Sequence, residues 1–505
     1  MLKYSSRLLF LNSFYNVIGK ILPLLVAVIT MPILIHKMGV ERFGILALIW
    51  TFIGYFGVFD LGVGRATTKF TAEYLARNQT SEISHVIWTS WWLLAALGVI
   101  GGVTAFLFIP ILTERMLNIP TSLMTEARCA FLIMSISLPF VFLTAGTRGV
   151  LEAQQRFGLI NAINIPAGMA NFIAPLPIFF FTNSLVPIVV ATVFVRFFVC
   201  CLFFFFSVNS LPGLSKPCWP AKGYIHTLMA FGGWLSVSNI VGPIMVNMDR
   251  FLIGSLMTMA AVAYYVTPFD LVSRLNIITY SLTSVLYPAF SALEAADRNK
   301  LEFFFTHSVK YLLIIMLPLI GGLIILAQPL LFFWLGADFA QQSSTVMQIL
   351  AVGFLINSLA HIPHAALQAT GRPDLTAKLH LIELPVYLIC LFPLIKILGL
   401  PGVALAWTLR VTLDAAFLFW LCCRQGIVPS HILNANLRTW SLMATALCAF
   451  WLAGSFSANL LFRVFLLFAF FTIFSIACWR YLITENEKHF LWNKTPGFMQ
   501  LWARK

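Results

Sequence analysis

The sequence predicts an all-α polytopic membrane protein with about 14 transmembrane helices, arranged as two pseudo-symmetric six-helix bundles plus two C-terminal helices. Sixty per cent of its residues are hydrophobic and only 10% are charged, with a mean hydropathy of +0.91. Many apolar runs reach the roughly 20 residues that a helix needs to cross a bilayer. The short alternating segments that are typical of an outer-membrane barrel do not occur.

The apolar runs define the predicted order of spans along the chain. They lie at residues 10–35, 44–62, 86–110, 124–145, 159–182, 185–207, 228–254, 261–290, 310–333, 344–366, 378–398, 402–423, 439–457 and 461–483. The turn-rich segment NSLPGLSKPCWPAK predicts a cytoplasmic linker between the bundles. The predicted domains are an N-terminal bundle at 1–208, the linker at 209–222, a C-terminal bundle at 223–430, two additional helices at 431–484 and a cytoplasmic tail at 485–505.

Two similar decapeptides indicate an internal repeat. VLEAQQRFGL at 150–159 and ALQATGRPDL at 366–375 share Leu, Ala, Arg and Leu at matching places. An intramembrane arginine follows in each half, Arg196 after the first decapeptide and Arg410 after the second. Two repeated halves predict a substrate site near the membrane midplane, as is usual in secondary transporters.

The basic residues predict the orientation. With a cytoplasmic N-terminus, 21 of the 32 Lys and Arg fall on cytoplasmic segments and six within spans. The other five fall on the far side: Lys37, Arg42, Arg115, Lys396 and Arg463. This positive-inside bias places both termini in the cytoplasm. The net charge of +14 is therefore mainly a topology signal and does not indicate nucleic acid as a partner.

Six cations fall within predicted spans: Lys20, Arg128, Arg196, Arg250, Arg274 and Arg410. Each costs about 2.5–3.5 kcal/mol at a lipid-facing helix centre. Arg128 lies near a span end and can extend its head group to the interface. The others must face protein, water or a ligand.

Two of these arginines have an acid four residues away. Asp270 and Arg274 share a helix face, and so do Arg410 and Asp414. For both pairs a structural ion pair and a functional role remain open alternatives.

The segment NIVGPIMVNMDRFLIGSL contains an adjacent acid and base, Asp249 and Arg250. Neighbouring side chains on a helix point about 100° apart, so the two cannot pair along one face. Lys20 and Arg196 have no acid within their own spans. A functional role is favoured for these three cations, because unpaired cations inside a bundle suit an anionic phosphate or diphosphate group.

A further charged group ends the second span. FDLGVGRATTKF contains Asp60 and Arg65 near the predicted cytoplasmic surface. One interpretation is helix termination by the glycines with basic anchoring, and the other is an inner gate or a point of headgroup access.

No sequence motif indicates catalysis or a metal centre. Walker A, GxSxG and HExxH patterns are absent from the sequence, and none of its nine cysteines has CxxC spacing. We therefore expect a transporter without catalytic residues, metal ligands or an organic cofactor.

Several stretches resemble a known family. They are the first two spans, RGVLEAQQRFGLINAINI, NMDRFLIGSL, SVLYPAFS and ALQATGRPDLTAKL. This ordered set is similar to the polysaccharide transporter family, the Wzx-type flippases of O-antigen and capsule repeat units. That family shares the MOP superfamily with MATE exporters and the lipid II flippase.

The resemblance implies a flippase of the bacterial inner membrane. Members move an undecaprenyl-diphosphate-linked oligosaccharide from the cytoplasmic to the periplasmic leaflet by alternating access. Membrane lipids, polysaccharide polymerase and chain-length machinery are the other implied partners. The implied cationic cavity would consist of Lys20, Arg196, Arg250, Arg274 and Arg410, with Asp60, Arg65, Asp249, Asp270 and Asp414 in gating or in coupling to H⁺ or Na⁺.

Three other functions are alternatives for this sequence. A MATE-type drug exporter favours unpaired carboxylates in the N-terminal half, where this sequence is mainly cationic. A membrane glycosyltransferase or ligase needs a large external loop, and the loops here are short. A lipid II flippase is closer in kind and would be required for growth.

Overall fold

The computed structural model describes residues 6–56, 60–77, 79–211, 213–428, 445, 450, 460–482 and 485. Side chains are described within these ranges except at 6–18, 20, 55–56, 80–81, 222, 231–243, 294–296 and 481–482. The chain packs as two compact units, whose sequence boundary lies between Val266 and Thr267.

The helices of the first unit follow the apolar runs of the sequence. They are α1 (Ser6–Met38), α2 (Val40–Phe56), α3 (Val63–Ala76), α4 (Thr80–Ile111), α5 (Met124–Ser135), α6 (Leu138–Ala153), α7 (Phe157–Ile173), α8 (Leu185–Val208), α9 (Lys222–Leu256) and the first half of α10 (Met259–Ser273). Short π- or 3₁₀-helical turns lie at Leu112–Met116, Thr121–Leu123 and Leu176–Phe180.

The second unit contains longer helices. They are α11 (Asn276–Ala296), α12 (Arg298–Leu335), α13 (Ala337–Ala369), α14 (Pro373–Leu398), α15 (Leu400–Arg424) and α16 (Leu460–Ala477), the last of which continues into a π-helical turn at Cys478–Leu482. The core of this unit lies around α13, where Phe354 packs against Trp407 with ring centroids 4.6 Å apart.

The predicted fold class is confirmed. The described part of the chain is helical without a β-strand, and ten of its helical segments are long and apolar enough to cross a membrane. The predicted span at 439–457 lies outside the described residues except at positions 445 and 450.

Three predicted spans are divided in the helices observed. The span at 124–145 divides into α5, which ends at Ser135, and α6, which begins at Leu138. The span at 44–62 ends as α2 at Phe56, and α3 begins a new helix at Val63. The span at 261–290 divides into α10 and α11, because backbone bonds tighten to the i+3 type where Arg274 donates to Leu271 O at 3.3 Å.

The two decapeptides adopt the same helix–turn–helix structure. In the first, the Arg156 N–H donates to Leu151 O at 3.0 Å, and in the second the Arg372 N–H donates to Leu367 O at 2.9 Å. Both bonds belong to Schellman-type helix ends. The left-handed residue is Gln155 in one turn, with φ 58°, and a glycine with φ 74° in the other.

Contacts beyond the turns also correspond between the repeats. The Ser207 hydroxyl of α8 donates to Thr147 O of α6 at 2.7 Å. At the matching place of the second repeat, the Cys422 thiol of α15 donates to Pro363 O of α13 at 3.5 Å. The predicted domain limits follow this repeat rather than the packing boundary after Val266, and they stay a prediction.

Candidate functional site

Asp249 lies fully buried on α9 in the first unit. Its Oδ2 accepts the hydroxyl of Tyr265 on α10 at 2.6 Å, and its Oδ1 accepts the N–H of Arg250 at 2.8 Å. The carboxylate therefore joins α9 to α10, which gives this acid a structural partner that the sequence did not reveal.

Arg250 points to a different helix, as the helical spacing requires. Its Nη1 donates to the Thr51 hydroxyl of α2 at 3.2 Å, and the residue is 9% exposed. The adjacent acid and base thus hold α9 against α10 and α2 through separate contacts.

Arg196 and Lys20, the other two cations for which a functional role was favoured, occupy different places in the first unit. Arg196 lies half-buried on α8, and its Nε is buried without a hydrogen-bond partner among the described residues. Lys20 lies in α1, but its side chain is outside the described part of the structure. The prediction for the Lys20 side chain therefore lies outside the described part of the structure, and Arg196 and Arg250 lie on different helices, α8 and α9.

Asp60 caps the N-terminus of α3. Its carboxylate accepts the N–H of Gly62 at 2.9 Å and that of Gly64 at 3.1 Å, while Gly62 adopts φ +67°. Arg65, one turn on, is exposed. This geometry accounts for the acid as a helix cap, and the gating role stays a prediction.

Asp270 and Arg274 lie on either side of a helix end. Asp270 is half-buried in α10, which stops at Ser273, and Arg274 is exposed on the turn before α11. The i,i+4 argument assumed one continuous helix through both residues, and the break after α10 removes that assumption.

Arg410 and Asp414 belong to a buried charge cluster in the second unit. Arg410 Nη1 lies 3.9 Å from Glu383 Oε2, and Asp414 Oδ1 lies 3.7 Å from His380 Nε2. Both partners lie on α14. The ion pairs recorded for these two residues of α15 therefore run between helices.

Sequence reasoning missed both residues of α14 in this cluster. The segment HLIE places His380 and Glu383 three residues apart within a predicted span, and residues at this spacing share a helix face. An intramembrane acid near a histidine was therefore a readable signal. Their pairing with Asp414 and Arg410 could not be predicted from the sequence, because it depends on how α14 packs against α15.

The cluster carries one more negative than positive charge when both carboxyls are ionised and His380 is neutral. Glu383 and Asp414 are 6% and 8% exposed, and Arg410 is the nearby permanent cation. Buried charge is expensive unless it is compensated. A bound proton or metal cation would restore neutrality.

Three side chains of the cluster could ligate such a cation. One ligand atom each from His380, Glu383 and Asp414 lies within 4.8 Å of the others. Both Glu383 oxygens and Asp414 Oδ1 are buried and make no hydrogen bond to a described residue. These carboxylate oxygens thus have unused capacity for a ligand.

Two further histidines extend the cluster across α13. The His364 ring stacks on His380 with centroids 6.0 Å apart, and His361 lies 6.5 Å from His364. The His361 ring in turn packs edge-to-face against Tyr280 of α11, with ring centroids 5.2 Å apart. A line of titratable groups therefore reaches from α15 through α14 and α13 to α11.

The outer side of the cluster opens into a cavity between α14 and α15. Its volume is about 320 Å³, and Lys378, Glu383, Tyr387, Cys390 and Arg410 contribute to an otherwise aliphatic and aromatic wall. The Arg410 guanidinium carbon lies 5.7 Å from the centre of the Tyr387 ring. Charged groups thus face a space within membrane-spanning helices, where ionisable residues commonly mark a functional path.

Comparison with known sequences places the chain in a family. The family described as "Polysaccharide biosynthesis protein" matches residues 33–344, more than half of the chain. The "Putative O-antigen transporter" of Shigella flexneri is 29% identical over 414 residues, covering 82% of this chain and 97% of that protein. The "Lipopolysaccharide biosynthesis protein WzxC" of Escherichia coli K12 is 24% identical over 70% of each chain.

Solved structures share the fold over most of the chain. The lipid II flippase MurJ in an inward closed conformation has a TM-score of 0.73 at 15% identity, covering 94% of this chain and 100% of that one. An inward-facing MATE family multidrug resistance transporter of the MOP superfamily has a TM-score of 0.69 at 16% identity, covering 82% of this chain and 96% of that one.

These matches confirm two expectations, a transporter rather than an enzyme and a multi-pass membrane protein. They leave the roles of the individual charged residues as predictions. The chain belongs to the polysaccharide biosynthesis protein family, and its resemblance to the Wzx-type flippases is confirmed.

Proposed function

We propose that the protein translocates an undecaprenyl-diphosphate-linked oligosaccharide repeat unit from the cytoplasmic to the periplasmic leaflet of the bacterial inner membrane. The observation that carries the proposal is the match to the O-antigen transporter of Shigella flexneri over 97% of that relative's length. Alternating access would expose the substrate site to each face in turn. The product would enter O-antigen, capsule or exopolysaccharide synthesis, with polymerase and chain-length proteins as partners.

The diphosphate is the part of this substrate that needs protein charge within the membrane. Arginine presents a planar fork of donors to phosphate oxygens. Arg410 lines a cavity, Arg250 and Arg196 are buried or half-buried within helices, and Arg274 is exposed at the end of α10. Together with Lys20, they are the proposed headgroup ligands.

The charge cluster of the second unit is the proposed coupling site. The groups that face it are His361 and His364 on α13, His380, Glu383 and Tyr387 on α14, Arg410 and Asp414 on α15, and Tyr280 on α11. Lys378 lines the adjoining cavity, but its Nζ pairs with Asp374 at 3.3 Å, outside the cluster. A proton or Na⁺ bound here would cancel the surplus negative charge and favour the state that buries the cluster. Release of the cation would favour a state that hydrates it, which links ion movement to the transport cycle.

The proposed orientation has both termini in the cytoplasm. It rests on the excess of basic residues on one set of loops, 21 against five. Cysteine accessibility to an impermeant reagent checks this orientation independently of transport.

Deletion in the host tests the proposed function. We expect undecaprenyl-diphosphate-linked repeat units to accumulate in the lipid extract while surface polymer is lost, with full recovery from a plasmid-borne copy. Unchanged lipid-linked glycan and intact polymer, in a strain without a second flippase gene, would contradict it. Drug hypersensitivity would then favour an exporter, and arrested growth with accumulated lipid II would favour a lipid II flippase.

A further inference from the structure

An apolar groove lies between α7 and α8 in the first unit. Its volume is about 780 Å³, within the range of about 300–1,000 Å³ that is usual for ligand sites. Every lining residue is apolar. Several lining side chains are small or rigid and leave space between the helices, among them Pro166, Ala167, Ala170 and Ala191. Phe194 and Phe198 are largely exposed at its edge.

The groove occupies the same place in its repeat as the charged cavity between α14 and α15. The decapeptide alignment pairs Leu159 with Leu375, and both residues line their respective spaces. Continuing the same register pairs Ala167 with Glu383. The first repeat thus has an alanine where the second has a buried charge and keeps more than twice the cavity volume, 780 against 320 Å³.

The same comparison corrects the predicted match between the two arginines. The equivalent contacts of Ser207 on α8 and Cys422 on α15 make Val195 the counterpart of Arg410 in the repeat. Val195 lines the groove, and Arg410 lines the cavity. Arg196 is the next residue, about 100° away around α8. The two arginines are therefore not equivalent, and the groove remains purely apolar.

A membrane environment determines what can fill such a groove. The segment from α7 through the 3₁₀ turn at Leu176–Phe180 is long and apolar enough to cross the bilayer, and so is α8. A void would forfeit dispersion contacts, and a polar ligand would lose its hydrogen bonds to water. Along α7, the groove extends from Leu159 to Ala170, a helical rise of roughly 16 Å. This length suits an extended hydrocarbon chain.

A cation lies just before the helix that forms one wall of the groove. Arg156 is exposed and immediately precedes α7, within one turn of the lining residue Leu159. An apolar channel with an arginine at the start of one wall complements an amphiphile that has a phosphate group joined to a hydrocarbon.

We propose that the α7–α8 groove binds the polyprenyl chain of the lipid carrier, with Arg156 as a contact of its diphosphate in addition to the cations proposed above as headgroup ligands. This inference rests on the proposed lipid-linked substrate and assigns a site to its tail. The corresponding spaces of the two repeats then have divided roles: the α7–α8 groove holds hydrocarbon, and the α14–α15 cavity is lined by charged groups.

Binding to the full-length protein in detergent tests this assignment. Native mass spectrometry would use undecaprenyl diphosphate, undecaprenol and phosphatidylglycerol as probes. Ala167→Trp and Ala191→Trp fill the groove from opposite walls and should each weaken undecaprenyl diphosphate binding by about tenfold or more. Ile173→Trp adds the same ring at an exposed position of α7 outside the groove and should bind as the wild type does.

A headgroup variant tests the polar end of the groove. Arg156→Gln should weaken undecaprenyl diphosphate binding and leave undecaprenol binding unchanged, because only the diphosphate needs the guanidinium. Wild-type affinity in both tryptophan variants would overturn the inference, as would equal competition by phosphatidylglycerol. Should Ala167→Trp fail to accumulate, Ala191→Trp tests the same volume from α8.

The outcomes separate this inference from the proposed function. If deletion causes lipid-linked glycan to accumulate while the tryptophan variants bind normally, only the groove assignment fails. If the wild-type protein binds no undecaprenyl diphosphate and deletion leaves the glycan lipids unchanged, the proposed function fails with it.

Discussion

Arg463 of α16 donates a hydrogen bond from Nη1 to the backbone carbonyl of Ile325 in α12, at 3.2 Å. That carbonyl would normally accept the N–H of residue 329, which is a proline and has none. A second bond from Arg463 reaches Gln328 Oε1 at 2.7 Å. The arginine is 3% exposed, so a buried cation takes the place of the missing backbone donor.

The first prediction concerns the hydrogen bond that Arg463 donates in place of the N–H that Pro329 lacks. Arg463→Leu should lower the free energy of unfolding by about 1–3 kcal/mol, because the Ile325 carbonyl is left buried without a donor. In a Pro329→Ala background, the restored N–H should reduce that loss. Thermal unfolding of the four proteins of this cycle in detergent checks it, and equal losses in both backgrounds would refute the compensation.

The second prediction concerns the buried pair on α14 and α15. Arg410→Ala should cost about 3–5 kcal/mol of stability, since it leaves two buried carboxylates without their cation. Arg410→Met combined with Glu383→Gln should recover most of that stability while remaining inactive in transport. Unfolding curves and surface polymer are the two measurements. Full transport by the double variant would remove the cluster from the mechanism.

The third prediction separates binding from packing at Arg250. Arg250→Ala should abolish surface polymer at normal protein level, as should Lys20→Ala, if these cations hold the diphosphate. Thr51→Val removes only the hydroxyl that Arg250 contacts and should keep most transport. Equal losses in Arg250→Ala and Thr51→Val would instead show that Arg250 acts through its contact with α2. Normal polymer in Arg250→Ala or in Lys20→Ala would contradict the cationic site.

The fourth prediction is a pH dependence at the start of α12. Asp297 accepts the Lys300 N–H at 3.1 Å and pairs with Lys300 Nζ at 3.1 Å, and these contacts hold its pKa below the ordinary aspartate value. A lowered pKa in the folded state adds stability above the unfolded pKa, and this is lost as the pH falls through the folded value. Asp297→Ala should therefore lower the melting temperature at neutral pH, with the difference vanishing in strong acid. A difference independent of pH would refute the charge contribution.

The fifth prediction uses the repeated turn. Gly371 has φ +74°, and no described atom lies within 4 Å of a Cβ built there, so only backbone strain opposes a side chain. Gly371→Gln should cost about 1 kcal/mol. Gln155→Gly at the matching turn should change stability in the opposite direction. The two unfolding midpoints check the pair, and a shift of the same sign in both would contradict it.

Much of the fold was readable from the sequence because a lipid environment imposes long apolar runs. The repeat was readable as well, since the decapeptides enclose a turn whose hydrogen bonds recur. The sequence did not reveal which residues of different helices contact each other. Spacing along α15 suggested that Arg410 pairs with Asp414, whereas packing brings Glu383 and His380 to them.

The packing of Arg463 was also not readable from the sequence. The count of basic residues assigned Arg463, near the start of the predicted span at 461–483, to the far side. The structure buries it in α16 against α12. No local pattern marks that contact, because its acceptor is a backbone carbonyl freed by a distant proline.

The position of Cys390 in the wall of the α14–α15 cavity has a practical consequence. Its thiol is exposed, while Cys422 on the facing helix is buried. Cys129 and Cys201 are exposed as well, so peptide mapping after reaction with a membrane-permeant maleimide would resolve the label at Cys390, beside the charge cluster, without an engineered mutation. The labelling rate at Cys390 then becomes an internal chemical gauge of when that cavity opens and closes during turnover.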